Sequence, residues 1–361
     1  MTTGIQYLQF RPLMRTWRYM VSLQMSPQNL SFSDSLHIVI LASILSLINY
    51  WLIRDRHRVR NLSGKYVFIT GCDTILGNAL AKWLDKRGFC VIAACATEQD
   101  GQELWSCSSP SLKTVNLNLA DSSSITRAVE FVTEETAGKG LFGFVNAAEG
   151  TTSAAPTDWL RIDDFHSALN VNLLGLIEIT LKLLPLLKKA EGRVVNLINS
   201  NGFMAFVGGG YNLSKWGMES FSDMLRRDIQ HFGVKVSIIG HSFFNTNVHS
   251  GIMGRDLLRL WNRLPNEIRD SYGEKYFSEY RKAQRSVKRL CNSDISKVIK
   301  CMEHALLAKY PRTRYGAGWD AKFFWLLLSY APSCLSDMLF YMMFPVPGAS
   351  GSSVPGVLIN I

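Results

Sequence analysis

The sequence predicts an α/β fold, a doubly wound parallel sheet behind an N-terminal anchor helix. Two observations carry the sheet. Short apolar runs recur without polar alternation, as in YVFIT (Tyr66 to Thr70), CVIAAC (Cys90 to Cys95) and RVVNLI (Arg193 to Ile198). Strands buried on both faces have this pattern. Between the runs lie stretches with apolar residues at helical spacing, and such alternation implies right-handed crossovers onto a parallel sheet. A third observation carries the anchor: Leu36 to Ile53 contains no Asp, Glu, Lys or Arg.

At the helical rise that run spans about 27 Å, close to the hydrocarbon core of a thin bilayer. Tyr50 and Trp51 suit the membrane interface, and RDRHRVR (Arg54 to Arg60) follows at once. A basic cluster there puts the rest of the chain on the cytosolic side. The first strand, Tyr66 to Thr70, ends at Gly71. A helix follows from Leu76 to Arg87, with Leu80, Ala81 and Leu84 on one face, and Gly88 stops it. Further strands are predicted at Cys90 to Cys95, Leu112 to Leu119, Leu141 to Asn146, Arg193 to Ile198 and Lys235 to Ile239. Helices are predicted at Ile125 to Thr136, Asp164 to Leu187 and Tyr211 to Phe232. The chain thus divides into a tail (1–35), an anchor (36–53), an α/β domain (62–320) with a cap around 243–315, and an apolar C-terminal segment (321–361). Pro332 and Asp337 interrupt that last segment, which favours contact with a membrane surface over a second span.

Composition sets the outer limits. The 361 residues are 47% hydrophobic and 19% charged, which excludes disorder and suits one sizeable core. The net charge of +10 is concentrated near the ends: residues 1–60 hold seven Arg against Asp34 and Asp55, and residues 251–320 hold fifteen basic against eight acidic residues. The seven cysteines are odd in number and include no CxxC pair, so a zinc site or disulfide framework is not expected. No metal is expected.

Two motifs carry chemistry. The first strand runs into TGCDTILG (Thr70 to Gly77) and then a helix. A glycine turn opening on a helix N-terminus is an anion site suited to a pyrophosphate. The second motif is Tyr211-Asn212-Leu213-Ser214-Lys215, which sets a phenol and an ammonium on one helix face. An ammonium beside a phenol favours phenolate, so Tyr211 can act as a base toward an alcohol.

Together these residues resemble the short-chain dehydrogenase/reductase superfamily. KYVFITGCD, AACATE, NVNLLGLIEIT, GRVVN, GGGYNLSKWGMESFSDMLRRD, FGVKVSII, MEHAL and PRTRYGAGWDAK occur in order. As a set they look like its microsomal retinol and 3α/17β-hydroxysteroid dehydrogenase branch, over Asn61 to Pro347. The resemblance implies a Rossmann-type sheet, one N-terminal membrane segment, an endoplasmic reticulum location, NAD and lipophilic alcohol substrates. It assigns Tyr211, Lys215, Asn172 and Asn199 to catalysis. Gly71, Asp73, Gly77, Asn118, Asn146, Lys215 and Thr246 are assigned to the cofactor. Family members often associate through core helices, so a homo-oligomer is a further expectation. The basic C-terminal region then reads as a cap near anionic lipid, and nucleic acid is not an expected partner.

Several positions depart from the family pattern. Its middle turn glycine is Ile75, where a left-handed backbone would cost about 1–2 kcal/mol. Its adenine-holding Asp is Asn118, and its NNAG is Asn146-Ala147-Ala148-Glu149. The sequence leaves open whether Glu149 faces the cofactor channel or solvent. The catalytic Ser position is Asn199, whose amide donates a hydrogen bond but relays no proton as a hydroxyl does. The neighbouring Ser200 would point to the other side of the strand. Pro-Gly after the sixth strand is His241-Ser242, with His241 expected in a loop. Cys95 to Glu98 contains no Arg or Lys to pair with a 2′-phosphate, which favours NAD over NADP. Two readings remain: an attenuated NAD-linked dehydrogenase of retinol or hydroxysteroid type, and a non-catalytic relative that keeps a lipid or cofactor pocket.

Overall fold

A computed structural model describes residues 32–150, 155–199, 208–241, 256–289, 294–318 and 326–343. Helix α1 (Phe32–Arg56) forms one compact unit with the residues up to Val59 and with Ala308–Tyr310. Arg58 bridges Ala308 in antiparallel fashion, and the Lys309 N–H donates to the His57 carbonyl at 2.9 Å. Two helical stretches among the described residues are long and apolar enough to cross a membrane. Leu36–Arg56 has mean hydropathy 2.1 and no buried residue, whereas a third of Ile162–Lys189 is buried. The second therefore belongs to the core.

The other unit holds seven strands: β1 (Tyr66–Thr70), β2 (Cys90–Cys95), β3 (Lys113–Asn116), β4 (Gly143–Asn146), β5 (Arg193–Asn199), β6 (Lys235–His241) and β7 (Arg314–Ala317). Their order is β3-β2-β1-β4-β5-β6-β7, and every pair is parallel. Strand order reverses between β1 and β4, and in such sheets ligands bind in the crevice at that point, beyond the strands' C-terminal ends. The central strands are apolar because both faces are covered. On one face α4 (Ser122–Glu135), α6 (Gly175–Lys189) and α7 (Gly210–Ile229) bury Ala128, Val132, Ile179, Leu183, Met218 and Leu225 against Phe68, Phe144 and Val194. Phe68 and Phe144 stack across the β1–β4 pair with centroids 5.6 Å apart. On the other face lie α2 (Ile75–Lys86) and α9 (Ser296–Leu307), joined by the Arg87–Glu303 ion pair at 2.8 Å.

The sequence-based prediction differs from this architecture in several places; the third strand, expected over Leu112 to Leu119, is confined to Lys113–Asn116. α3 (Glu98–Ser106) was not predicted, because only Gly101 and Leu104 in it are buried and no apolar stripe forms. Thr97 caps it, accepting from the Asp100 N–H. β7 (RYGA) was also not predicted, because it contains no apolar run. Arg314 in it donates to Glu219 at 2.8 Å and to Asp223 at 3.0 Å on α7. Hydrogen bonding from that guanidinium holds the Asp223 carboxyl below the usual range. The helix predicted from Asp164 to Leu187 is divided: α5 (Ile162–Leu169) passes through a π turn, Asn170–Leu174, into α6. The sixth strand runs on through Gly240 to His241.

A second core is centred on Trp159. Trp159 is 1% exposed, and five rings surround it: Trp261, Tyr272, Tyr280, Tyr276 and Phe277, with centroids 5.0, 5.5, 5.9, 6.1 and 6.3 Å away. The partner rings come from a helix over 256–263 and from α8 (Asn266–Arg289). Arg263 adds an ion pair to Asp164 on α5. Trp159→Ala should cost about 3–5 kcal/mol of stability, the range for deleting a buried tryptophan. Urea unfolding of the detergent-solubilised full chain measures it; a loss under about 1 kcal/mol would show that the cap does not rest on this ring.

Candidate active site

The site is built where β1 and β4 end. After β1 the backbone turns at Gly71, whose φ is +71°, a conformation that side chains disfavour. Space forbids a side chain there as well. A Cβ on Gly71 would lie 2.5 Å from the Ala148 Cα, and one on Gly77 would lie 2.1 Å from the Gly71 carbonyl oxygen. The turn after β1, the first turn of α2 and the segment after β4 are therefore in backbone contact. Thr74 caps α2: its hydroxyl donates to the Gly71 carbonyl at 2.7 Å and accepts from the Gly77 N–H at 3.1 Å. Asn78 donates to the Cys72 carbonyl at 3.3 Å. Burial pushes the Cys72 thiol well up and the Cys95 thiol to about 12, so both stay protonated and inert.

Ile75 does not strain this turn. It is the first residue of α2, and the non-glycine residues with positive φ among those described are Asn61, Ala137 and Glu191. Its side chain is half exposed, so its effect on a phosphate is one of bulk, not of backbone energy. Asp73 reaches across to β2, where its carboxylate accepts from the Ala96 N–H at 3.3 Å. Asp73 thus places a carboxylate from the β1 turn beside the end of β2.

Asn118 and Asn146 have local tasks. Asn118 is exposed, and its side-chain oxygen accepts from the Ala120 N–H at 3.0 Å, an Asx turn. Asn146 is 2% exposed and donates to Asn196 at 2.6 Å; Asn196 in turn donates to Ser222 at 2.7 Å. That chain of amides ties β4 to β5 and α7 inside the core.

Asn172 sits on the π turn between α5 and α6, fully buried. Single π turns recur at functional positions because they re-aim a side chain. Its side-chain oxygen accepts from the Gly150 N–H at 2.7 Å. Tyr211 and Lys215 lie one turn apart on α7, with the ammonium 5.1 Å from the Tyr211 ring centroid. Lys215 is 1% exposed.

Glu149 answers the question the sequence left open. Its carboxylate turns inward. One oxygen, Oε1, lies 3.0 Å from Lys215 Nζ and accepts from the Tyr211 hydroxyl at 3.2 Å. His241 Nε2 is 3.9 Å from the same oxygen. His241 is not a loop residue, as expected, but the buried last residue of β6, in register with Asn199 of β5. Sequence reasoning flagged Glu149 as a departure yet missed this cluster, because no spacing rule links positions 149, 211, 215 and 241. The side chain of Asn199 and the whole of Thr246 lie outside the described residues.

Comparison with known proteins identifies the family. The pattern of the family described as short chain dehydrogenase matches residues 65–254. The chain belongs to the short-chain dehydrogenase family. It is 48% identical to retinol dehydrogenase 7 of Rattus norvegicus over 303 residues, 82% of this chain and 96% of that protein. It is 42% identical to 17-beta-hydroxysteroid dehydrogenase type 6 of Homo sapiens over 315 residues, 86% and 98% of the two chains. Within the family it therefore groups with the retinol and hydroxysteroid dehydrogenases. The fold is also that of a solved short-chain dehydrogenase from Streptomyces avermitilis, with TM-score 0.62 and 20% identity over 78% of this chain and 97% of that one.

The close approach at the β1 turn makes one substitution decisive. Gly77→Ala should destabilise the chain by about 1–3 kcal/mol, the usual cost of overpacking, because backbone has no flexible end that can yield. An unchanged urea midpoint would mean that the turn opens freely.

Proposed function

We propose that this chain is a membrane-anchored oxidoreductase that transfers hydride between NAD and a lipophilic alcohol of the retinoid or hydroxysteroid class. The observation that carries the reading is the Tyr211–Lys215 pair on one face of α7, beside Asn172 on its π turn, at the point where strand order reverses. The names of the relatives support the substrate class.

The residues present suit a dinucleotide at one end and crowd it at the other. The cradle of Gly71, Thr74 and Gly77 offers the N-terminus of α2 to a pyrophosphate, with the half-exposed Ile75 side chain adding bulk beside it. Asp73 at the β2 end suits a free ribose hydroxyl and opposes a 2′-phosphate by charge, which favours NAD over NADP. At the other end Glu149 holds the ammonium that would grip the second ribose. The bound cofactor would supply the hydride acceptor.

The chain's own residues handle the proton. Lys215 holds Tyr211 as phenolate; its Oη takes the proton from the substrate hydroxyl and becomes phenol, and Asn172 supports the water relay that returns that proton to solvent. Asn199 donates to the substrate oxygen in place of a hydroxyl. A missing preorganised donor typically lowers rate by about 10²–10³, so turnover should be slow. Helix α1, with Arg54 packed 4.9 Å over Trp51 and basic residues to Arg60, supports an anchor in the endoplasmic reticulum membrane with the domain on the cytosolic side. A homo-oligomer is compatible with this reading.

Calorimetry on the detergent-solubilised full chain should detect NAD and show it bound at least about tenfold more tightly than NADP, a difference of about 1.4 kcal/mol. Absence of binding at millimolar NAD would overturn the cofactor assignment. With retinol or a hydroxysteroid as substrate, Tyr211→Phe should lower turnover by about 10²–10⁴. Unchanged turnover in that variant would exclude Tyr211 as the base.

A further inference from the structure

We infer that Glu149 is a cofactor-controlling residue: it occupies the Lys215 ammonium from within the chain and so sets the affinity for the nicotinamide half of the dinucleotide. The inference rests on the NAD-linked reading above. It starts from an ammonium with a side chain only 2% exposed. A buried charge is stable only when it is paired and hydrogen-bonded. Glu149 supplies that pairing at 3.0 Å, and its side chain is itself only 20% exposed.

A ribose presents neutral hydroxyls. In a site this dry, a hydroxyl is a weaker partner for an ammonium than a carboxylate is. The ribose therefore gains Lys215 only when Glu149 gives it up. Glu149 also accepts from the Tyr211 hydroxyl, so one carboxylate oxygen engages both members of the dyad. His241 on β6 faces the same oxygen at 3.9 Å. The competent arrangement, with Lys215 and Tyr211 turned to ligand, is then a minor state, and apparent affinity falls in proportion to its population.

The contact is selective for one end of the ligand. The pyrophosphate cradle is built from Gly71, Thr74 and Gly77, and Asp73 stands at the β2 end; none of these is among the Glu149 contacts described. A ligand that reaches only the cradle is spared the competition, whereas the complete dinucleotide is not. A general change in charge or stability would move both ligands alike.

The test titrates NAD and ADP into the detergent-solubilised full chain and into its Glu149→Gln and Glu149→Gly variants, with binding read by calorimetry. Glu149→Gln keeps the side-chain volume and removes the charge, so it guards against a variant that merely misfolds. NAD should bind at least about tenfold more tightly to both variants, with ADP changed by less than about twofold. Equal or weaker NAD binding in both variants would overturn the inference and leave the cofactor reading intact. An equal gain for ADP would also overturn it, by showing a general electrostatic effect. If NAD bound none of the three proteins while ADP bound all of them, the cofactor reading itself would fall.

Discussion

The structure depends on one steric constraint, the backbone contact between the turn after β1 and the segment after β4. Gly71 leaves no room for a Cβ against Ala148, and Gly77 leaves none against the Gly71 backbone. This contact closes the crevice at the reversal of strand order. It also fixes where residues 148 to 150 go. Glu149 follows Ala148 directly, so the constraint that shapes the phosphate cradle delivers a carboxylate to the dyad on α7.

Two parts of the site thus pull in different directions. On the proposed function, the cradle, Asp73 and the buried Asn172 would serve a dinucleotide-dependent dehydrogenase. Glu149 pairs with Lys215 at 3.0 Å. The two features are compatible if the dyad is held in a resting state and released on binding. Coupling of this kind needs only a carboxylate with two alternative positions, and it changes affinity without changing the fold.

Much of the fold was legible in the sequence, because parallel strands buried on both faces are apolar runs without polar alternation. YVFIT and CVIAAC are of this kind. The failures have local causes. α3 buries too little to leave a stripe, and β7, reading RYGA, has no apolar run to mark it. The π turn at Asn170–Leu174 has no signature of its own, since apolar spacing continues through it. Within the site, Tyr211 and Lys215 were legible because helical spacing places them on one face. Their meeting with Glu149 and His241 was not, because it joins α7, the β4 loop and the end of β6 across the sheet. Asn146 was legible as part of a motif, but its inward amide network shows only once β5 and α7 are packed beside it.

The central claim is that Glu149 and Lys215 are energetically paired. A double-mutant cycle in urea unfolding, with Glu149→Gln, Lys215→Met and the two combined, measures that pairing without any ligand. The account predicts a coupling of about 1–3 kcal/mol, with the double variant less destabilised than the sum of the singles. Additivity within about 0.3 kcal/mol would mean that the carboxylate and the ammonium do not depend on each other, and would contradict it.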